Sequence, residues 1–162
     1  MYKHGIIHIN FQIGQTTIIK DETNQEKTFA FDYSFWSHDG FTIKENGYAE
    51  ANDDKYYDQQ KVFNCVGREI LDNAWEGYNC CLFAYGQTGS GKSYSMVGYG
   101  ANKGIVPISC EEIFNRINTN TDSEKSFEVL VSMLEIYNEK VQDLLVPISK
   151  RPQGGLKIRE SK

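Results

Sequence analysis

The chain has 162 residues, a formal net charge of −5 and a sequence pI near 5.2. That is the length of one domain or part of one, able to bury about two-thirds of the surface its unfolded form exposes, and the acidic balance argues against a general nucleic-acid binder. The start, Met1-Tyr2-Lys3-His4-Gly5, lacks the apolar core of a signal peptide and no run reaches the length of a membrane span, so no direct membrane insertion is expected.

Ile7, Ile9, Phe11 and Ile13 recur at every second position, which predicts a strand with one buried face ending at Gly14-Gln15. Thr16-Thr17-Ile18-Ile19 is placed to pair back on it as a hairpin. After the polar residues 20–27, Phe29, Phe31 and Tyr33 alternate with Thr28, Ala30 and Asp32, the signature of another strand. Residues 37–58 turn polar and read as a loop outside the core. Their acidic residues Glu50, Asp53, Asp54 and Asp58 fit no cation-binding loop spacing and read as solvated charge.

Asp58 is a candidate N-cap for a helix in which Val62, Phe63, Val66, Ile70, Leu71, Ala74 and Trp75 recur at helical spacing, with Gly77 placed to end it. Asn79-Cys80-Cys81-Leu82-Phe83-Ala84-Tyr85 is a short apolar run of the kind that fills a central parallel strand. On such a strand Cys80 and Cys81 point to opposite faces and pack as small apolar residues. With Cys65 and Cys110 they offer no Cys-x-x-Cys spacing for zinc, and a reducing, intracellular compartment is expected.

The stretch Gly86-Gln87-Thr88-Gly89-Ser90-Gly91-Lys92-Ser93 has the pattern Gly-x-x-x-x-Gly-Lys-Ser, with a strand signal before it and a helical one after it. A loop that wraps a polyphosphate must turn backbone N–H groups inward at close range, which Gly86, Gly89 and Gly91 allow. Lys92 supplies positive charge to the β- and γ-phosphates, and Ser93 supplies a hydroxyl for Mg²⁺. The helix opening here adds its positive end to the same anion site. The ligand expected is a nucleoside triphosphate.

Residues 98–104 hold three glycines and should interrupt the helix with an insertion loop. Pro107 is tolerated in a first helical turn, and Cys110, Ile113, Phe114 and Ile117 carry the helix on to a polar stretch at 118–126. Residues 127–137 then predict a long, mostly buried strand. Its Glu135 sits where an acidic residue would end a Walker B strand, but Glu128 and Ser132 favour a half-exposed strand instead. Val141, Leu144 and Leu145 suggest a short helical piece, 147–155 a turn-rich loop, and Leu156-Lys157-Ile158-Arg159-Glu160 a final strand. The order of helix, strand, loop and helix around residue 86 is that of an α/β nucleotide-binding domain.

The phosphate-loop stretch from Phe83 to Met96 resembles that of kinesin motor domains, in a form much narrower than the general pattern. Glu76-Gly77-Tyr78-Asn79, Gly104-Ile105-Val106-Pro107, Glu135-Ile136-Tyr137-Asn138-Glu139 and Asp143-Leu144-Leu145 resemble kinesin sequence in kinesin order. Phe31-Asp32-Tyr33-Ser34-Phe35-Trp36-Ser37-His38 further resembles the third kinesin class, the vesicle and organelle transporters. The resemblance implies a phosphate-loop sheet with helices on both faces, and a microtubule-dependent ATPase using ATP and Mg²⁺ in the cytoplasm on the cytoskeleton. By the same resemblance, residues 86–93 hold phosphates and metal, and Tyr94 takes the place of a residue packing beside adenine. The region of Lys157 and Arg159 falls near tubulin, although isolated basic residues on an edge strand are more often simply solvated.

Residues 1–162 lack the Arg-x-Arg-Pro strand of a kinesin N-terminus and the Ser-Ser-Arg-Ser-His and Asp-Leu-Ala-Gly-Ser-Glu switch stretches, so they resemble roughly half of a motor domain, with cargo held through a tail outside it. Phosphoryl transfer rests almost entirely on positioning and electrostatics that the switches supply, so the chain alone is expected to hydrolyse ATP poorly, and no catalytic residue is assigned. One alternative is a non-hydrolysing nucleotide- or tubulin-binding remnant. Another is a different phosphate-loop NTPase such as a GTPase, against which Asn102-Lys103-Gly104-Ile105 lacks the guanine-reading acid.

Overall fold

The structure, a computed structural model, describes residues 6–10, 16–20 and 26–160, with side chains from residue 27 onward. Two compact units divide it, Met1–Thr119 and Asn120–Lys162.

In the first unit, β1 (Ile6–Asn10), β2 (Thr16–Lys20) and β3 (Glu26–Ala30) form an antiparallel sheet in that order, with Ile9 opposite Thr17 and Thr17 opposite Phe29. The predicted hairpin is therefore present, while Phe11, Ile13, Gly14 and Gln15 lie outside the described residues. β3 stops before Phe31 and Tyr33. There the aromatic rings take over from the ladder: Tyr33 stacks on Phe35 at 5.7 Å, and Phe35 meets Tyr57 at 5.0 Å.

The polar stretch from 37 to 58 is not a plain loop. It holds a hairpin, β4 (Phe41–Ile43) against β5 (Ala49–Ala51), with Phe41 opposite Ala51. Its stabilisation is polar and so invisible to hydrophobic periodicity. The Thr42 hydroxyl pairs with Asn52 at 2.7 Å, Lys44 pairs with Glu50, and the Gly47 N–H donates to the Lys44 carbonyl at 2.8 Å.

Asp58 caps the following helix as predicted, its carboxylate accepting from the Lys61 N–H at 2.7 Å. The helix begins as α1 (Gln59–Val62) and passes through one widened turn, where the Arg68 N–H reaches back five residues to the Phe63 carbonyl. It then continues as α2 (Arg68–Trp75), and the Gly77 N–H closes it on Ala74. Phe63 is fully buried and packs with Leu71, and with Ile105 and Ile108 of α4 (Ile105–Asn118). Gly67 makes that approach possible, because a Cβ there would stand 2.5 Å from the Phe63 ring and 3.1 Å from Ile105. Polar pairs clamp the rim of this core: Arg116 with Asp72, and Arg68 with Glu112 at 3.4 Å. Trp75 turns out exposed, beneath the Arg116 guanidinium.

In the second unit, β8 (Leu134–Tyr137) pairs with β9 (Lys140–Asp143), Ile136 lying opposite Val141. Asn138 and Glu139, both at positive φ (48° and 61°), make the two-residue turn whose twist suits a hairpin. Three expectations fail here. The helical piece at Val141, Leu144 and Leu145 begins as strand β9. The long buried strand shrinks to four residues, all exposed, and the strand from Leu156 reduces to one bridge with Val141. An apolar run specifies burial, but a ladder also needs a hydrogen-bonding neighbour, which one segment's pattern does not contain.

Candidate nucleotide site

Leu82 packs against the core formed by α2 and α4 and anchors the chain just before the phosphate loop. The predicted strand around it is not laddered: residues 79–85 join no sheet among the described residues. Cys80 and Cys81 are exposed rather than packed, and Phe83 and Tyr85 are 86% and 101% exposed.

The loop itself has the backbone its glycines predict. Gly86 has φ 151°, and a Cβ there would meet the Ser90 hydroxyl at 2.6 Å. Gly91, left-handed at φ 94°, is the residue from which α3 (Lys92–Met96) springs, the Ser95 N–H donating to its carbonyl at 2.9 Å. No atom lies within 4 Å of a Cβ at Gly89 or Gly91, so this side of the loop is open to a ligand. The Lys92 ammonium reaches back over the loop, donating to the carbonyls of Gly86 at 2.8 Å and Gln87 at 2.7 Å. Thr88, Ser90 and Ser93 are exposed around it. Residues 86–93 thus form a glycine-shaped loop closed by the Lys92 ammonium, with the Ser90 N–H donating to the Gln87 carbonyl at 3.2 Å and Ser93 exposed beside it.

Tyr94 is half-buried, its ring 6.0 Å from that of Tyr99. The buried Tyr56 phenol interacts with that of Tyr94. Burial raises both phenols above their usual range, the Asp58 charge adding to each. Tyr48 is pushed up to about 12, first by burial and next by its hydrogen bond to Asp58.

Two site-supporting residues escaped the sequence reading. Gln59 donates to the Tyr94 carbonyl, and Asn102 joins the hairpin of β6 (Gly98–Tyr99) and β7 (Asn102–Lys103) to Gly47 and Ala49. Neither carries a local signal: a glutamine in a first helical turn reads as solvated, and Asn102 drew notice only within a failed guanine motif. The hairpin also gives the predicted insertion at 98–104 a defined shape. Lys157 and Arg159 are exposed in the second unit and join no strand. A groove of about 700 Å³ lies between residues 30–35 and the helical residues 65–73, and none of residues 86–93 lines it.

The site is that of an α/β phosphate-loop protein. The sequence matches the family model described as the kinesin motor domain over residues 6–162, and the chain belongs to that family. It is 54% identical to kinesin-like protein KIF28 of Rattus norvegicus over 146 residues, 88% of this chain and 14% of that protein. It is 48% identical to kinesin-like protein KIF13A of Homo sapiens over 141 residues, 87% of this chain and 7% of that protein. The latter agrees with the resemblance to the third kinesin class. Among solved structures it is similar to a KIF14 dimer in a two-heads-bound state, with AMP-PNP and in complex with a microtubule. The TM-score there is 0.77 at 37% identity, covering 96% of this chain and 39% of that one. The α/β motor fold is therefore that of the chain, and the chain spans a small part of the curated relatives it matches.

Proposed function

We propose that this chain is the ATP-binding part of a microtubule-based motor, whose parent protein couples ATP hydrolysis to movement along microtubules. The observation that carries the reading is the loop at 86–93, with Gly86 and Gly91 at positive φ and the Lys92 ammonium folded over it, in a chain of the kinesin family. Backbone N–H groups from Gly86 to Gly91, with Gln87, Thr88 and Ser90 between them, hold the phosphates. Lys92 faces the β- and γ-phosphates. The Ser93 hydroxyl is a hard, exposed oxygen donor of the kind Mg²⁺ accepts beside phosphate oxygens, so the donor set suits that ion, which would neutralise phosphate charge. Tyr94, next in sequence, is the aromatic beside the base.

The partner is the microtubule, as in the KIF14 complex, with Lys157 and Arg159 as candidate contacts. Residues 1–162 then form part of a motor domain acting on the cytoplasmic cytoskeleton, with vesicle or organelle cargo bound elsewhere in the parent. A second reading concerns the 162 residues alone: they contain no Asp-Leu-Ala-Gly-Ser-Glu stretch to sense a γ-phosphate, which favours nucleotide binding without turnover.

Titration with a fluorescent ATP analogue tests the site. Lys92→Ala removes a charge-assisted partner of the phosphates, a loss of about tenfold to hundredfold in affinity. Equal binding by mutant and parent sinks the phosphate-loop reading. Microtubule-stimulated phosphate release by the unsubstituted 162-residue chain would instead overturn the reading without turnover.

A further inference from the structure

Helix α3 carries Lys92 and Ser93, yet it has only five residues, and its axis needs an external support. In a longer helix the Tyr94 carbonyl would accept from residue 98. The helix ends at Met96 and the chain turns into β6 at Gly98, so that carbonyl is among those a helix C-terminus leaves without an internal partner. Gln59 of α1 fills the gap. Its side-chain amide donates to the Tyr94 carbonyl at 2.5 Å and reaches the Asn102 carbonyl on β7 at 3.5 Å. Gln59 is 6% exposed, the one buried polar side chain among the described residues. An amide placed there without partners would cost about 1–3 kcal/mol, so its bonds are required rather than incidental.

The support continues outward. The Asn102 side chain donates to the Gly47 carbonyl at 2.8 Å and accepts from the Ala49 N–H at 2.8 Å. A run of hydrogen bonds therefore joins the β4–β5 hairpin, through Asn102 and Gln59, to the turn of helix that holds the phosphate-site side chains. We propose that Gln59 is a positioning residue for the nucleotide site, holding α3 so that Lys92 and Ser93 face the phosphates, with Asn102 bracing it. This rests on the nucleotide-site reading above. Anion sites built from fixed donors lose affinity when their support loosens, because each donor must hold its direction.

The test uses the full chain and two variants. Gln59→Met keeps the length and volume but donates nothing. Gln59→Glu keeps the shape; its ionised form only accepts, whereas its protonated form can donate to the Tyr94 carbonyl again, and burial among carbonyls favours that protonated form. Affinity for the fluorescent ATP analogue is measured at pH 8 and pH 5.5, on samples whose circular dichroism matches the parent. At pH 8 both variants bind about tenfold more weakly than the parent, the equivalent of one lost buried hydrogen bond. At pH 5.5 Gln59→Glu recovers most of that loss relative to the parent and Gln59→Met does not. A filler role predicts parent-like binding by Gln59→Met, and that result, or no recovery by Gln59→Glu, overturns the proposal.

Should Gln59→Met fail to fold, Gln59→Glu compared with itself at the two pH values decides. If the parent fails to bind the analogue, the nucleotide reading falls, and hydrogen exchange still judges the support. Faster exchange of the Ser95 and Val97 amides in Gln59→Glu at pH 8, with α4 amides unchanged, upholds it, and unchanged exchange at Ser95 and Val97 overturns it.

Discussion

Tyr48 and Asp58 show how one carboxylate serves two elements. Asp58 caps α1 through the Lys61 N–H and accepts the Tyr48 hydroxyl, tying the end of the β4–β5 hairpin to the start of the helix that carries Gln59. The sequence exposes the first role, since an aspartate before an apolar helical repeat is a cap signal, but not the second, which joins residues whose proximity only folding creates. The second has a measurable signature. A tyrosine in the unfolded chain ionises near pH 10, whereas Tyr48 in the fold is pushed up to about 12, by burial first. A folded pKa raised above the unfolded one stabilises below pH 10, and that stability is lost as pH climbs from 10 through 12. Tyr56 and Tyr94 shift in the same direction. Melting temperature should therefore drop steeply above pH 10 in the parent and less steeply in Tyr48→Phe. Tyr48→Phe should itself cost only about 0.5–1.5 kcal/mol at pH 8, the worth of one hydrogen bond. Parallel pH profiles for the two proteins would show that Tyr48 does not titrate as argued.

At the scale of elements, the helical pair of α1–α2 and α4 holds the site in place, because Leu82 rests on their shared core and the loop begins four residues later. Its weakest tolerance is at Gly67, where there is no room rather than a special backbone angle. A methyl would overlap the ring of Phe63, which is completely buried and has nowhere to retreat. Gly67→Ala should destabilise by about 1–3 kcal/mol through overpacking, despite alanine's better helix propensity, which alone would favour it by about 1 kcal/mol. Urea unfolding measures the difference, and a stabilised mutant would mean the helices separate without cost. These helices were legible in the sequence because each carries its own evidence: a cap at Asp58, an apolar stripe and a glycine stop at Gly77 for α1–α2, and an apolar repeat after Pro107 for α4. The segments at 79–85 and 127–137 read as strands from apolar content, yet 79–85 and 127–133 form no ladder among the described residues. Periodicity reports what a segment should bury and is silent on what will cover it. The β4–β5 hairpin failed in the opposite sense, being held by Thr42, Asn52, Lys44 and Glu50, whose polarity looked like loop.

For the whole molecule, the glycine-rich loop at 86–93 was legible because chemistry restricts its residue types, while behaviour in solution follows from apolar residues that each unit leaves exposed. Phe83 and Tyr85 beside the loop, Leu130, Val131 and Ile136 in the second unit, and Ile158 are each at least 75% exposed. The KIF14 chain that this one resembles is longer, this chain covering 39% of it. Fully burying one large aliphatic or aromatic side chain contributes about 1.5–3 kcal/mol, so a few such residues meeting in a second copy suffice to offset the entropy of association. The unladdered backbone at 79–85 adds free hydrogen-bonding groups of the kind that template strand pairing between chains. The 162-residue polypeptide should therefore self-associate as its concentration rises through the micromolar range, with a net charge of only −5 to oppose it. Sedimentation velocity from about 1 to 100 µM reads this out. Leu130→Glu with Val131→Glu puts like charges on one exposed run outside the loop at 86–93 and adds to the net negative charge, and should shift association to higher concentration while leaving ATP-analogue affinity within about twofold of the parent. A parent that stays monomeric across that range would show that its exposed residues do not find one another. A double mutant that associates as the parent does would place the contact elsewhere, at Phe83 and Tyr85, where occupancy of the loop by nucleotide should then compete with it.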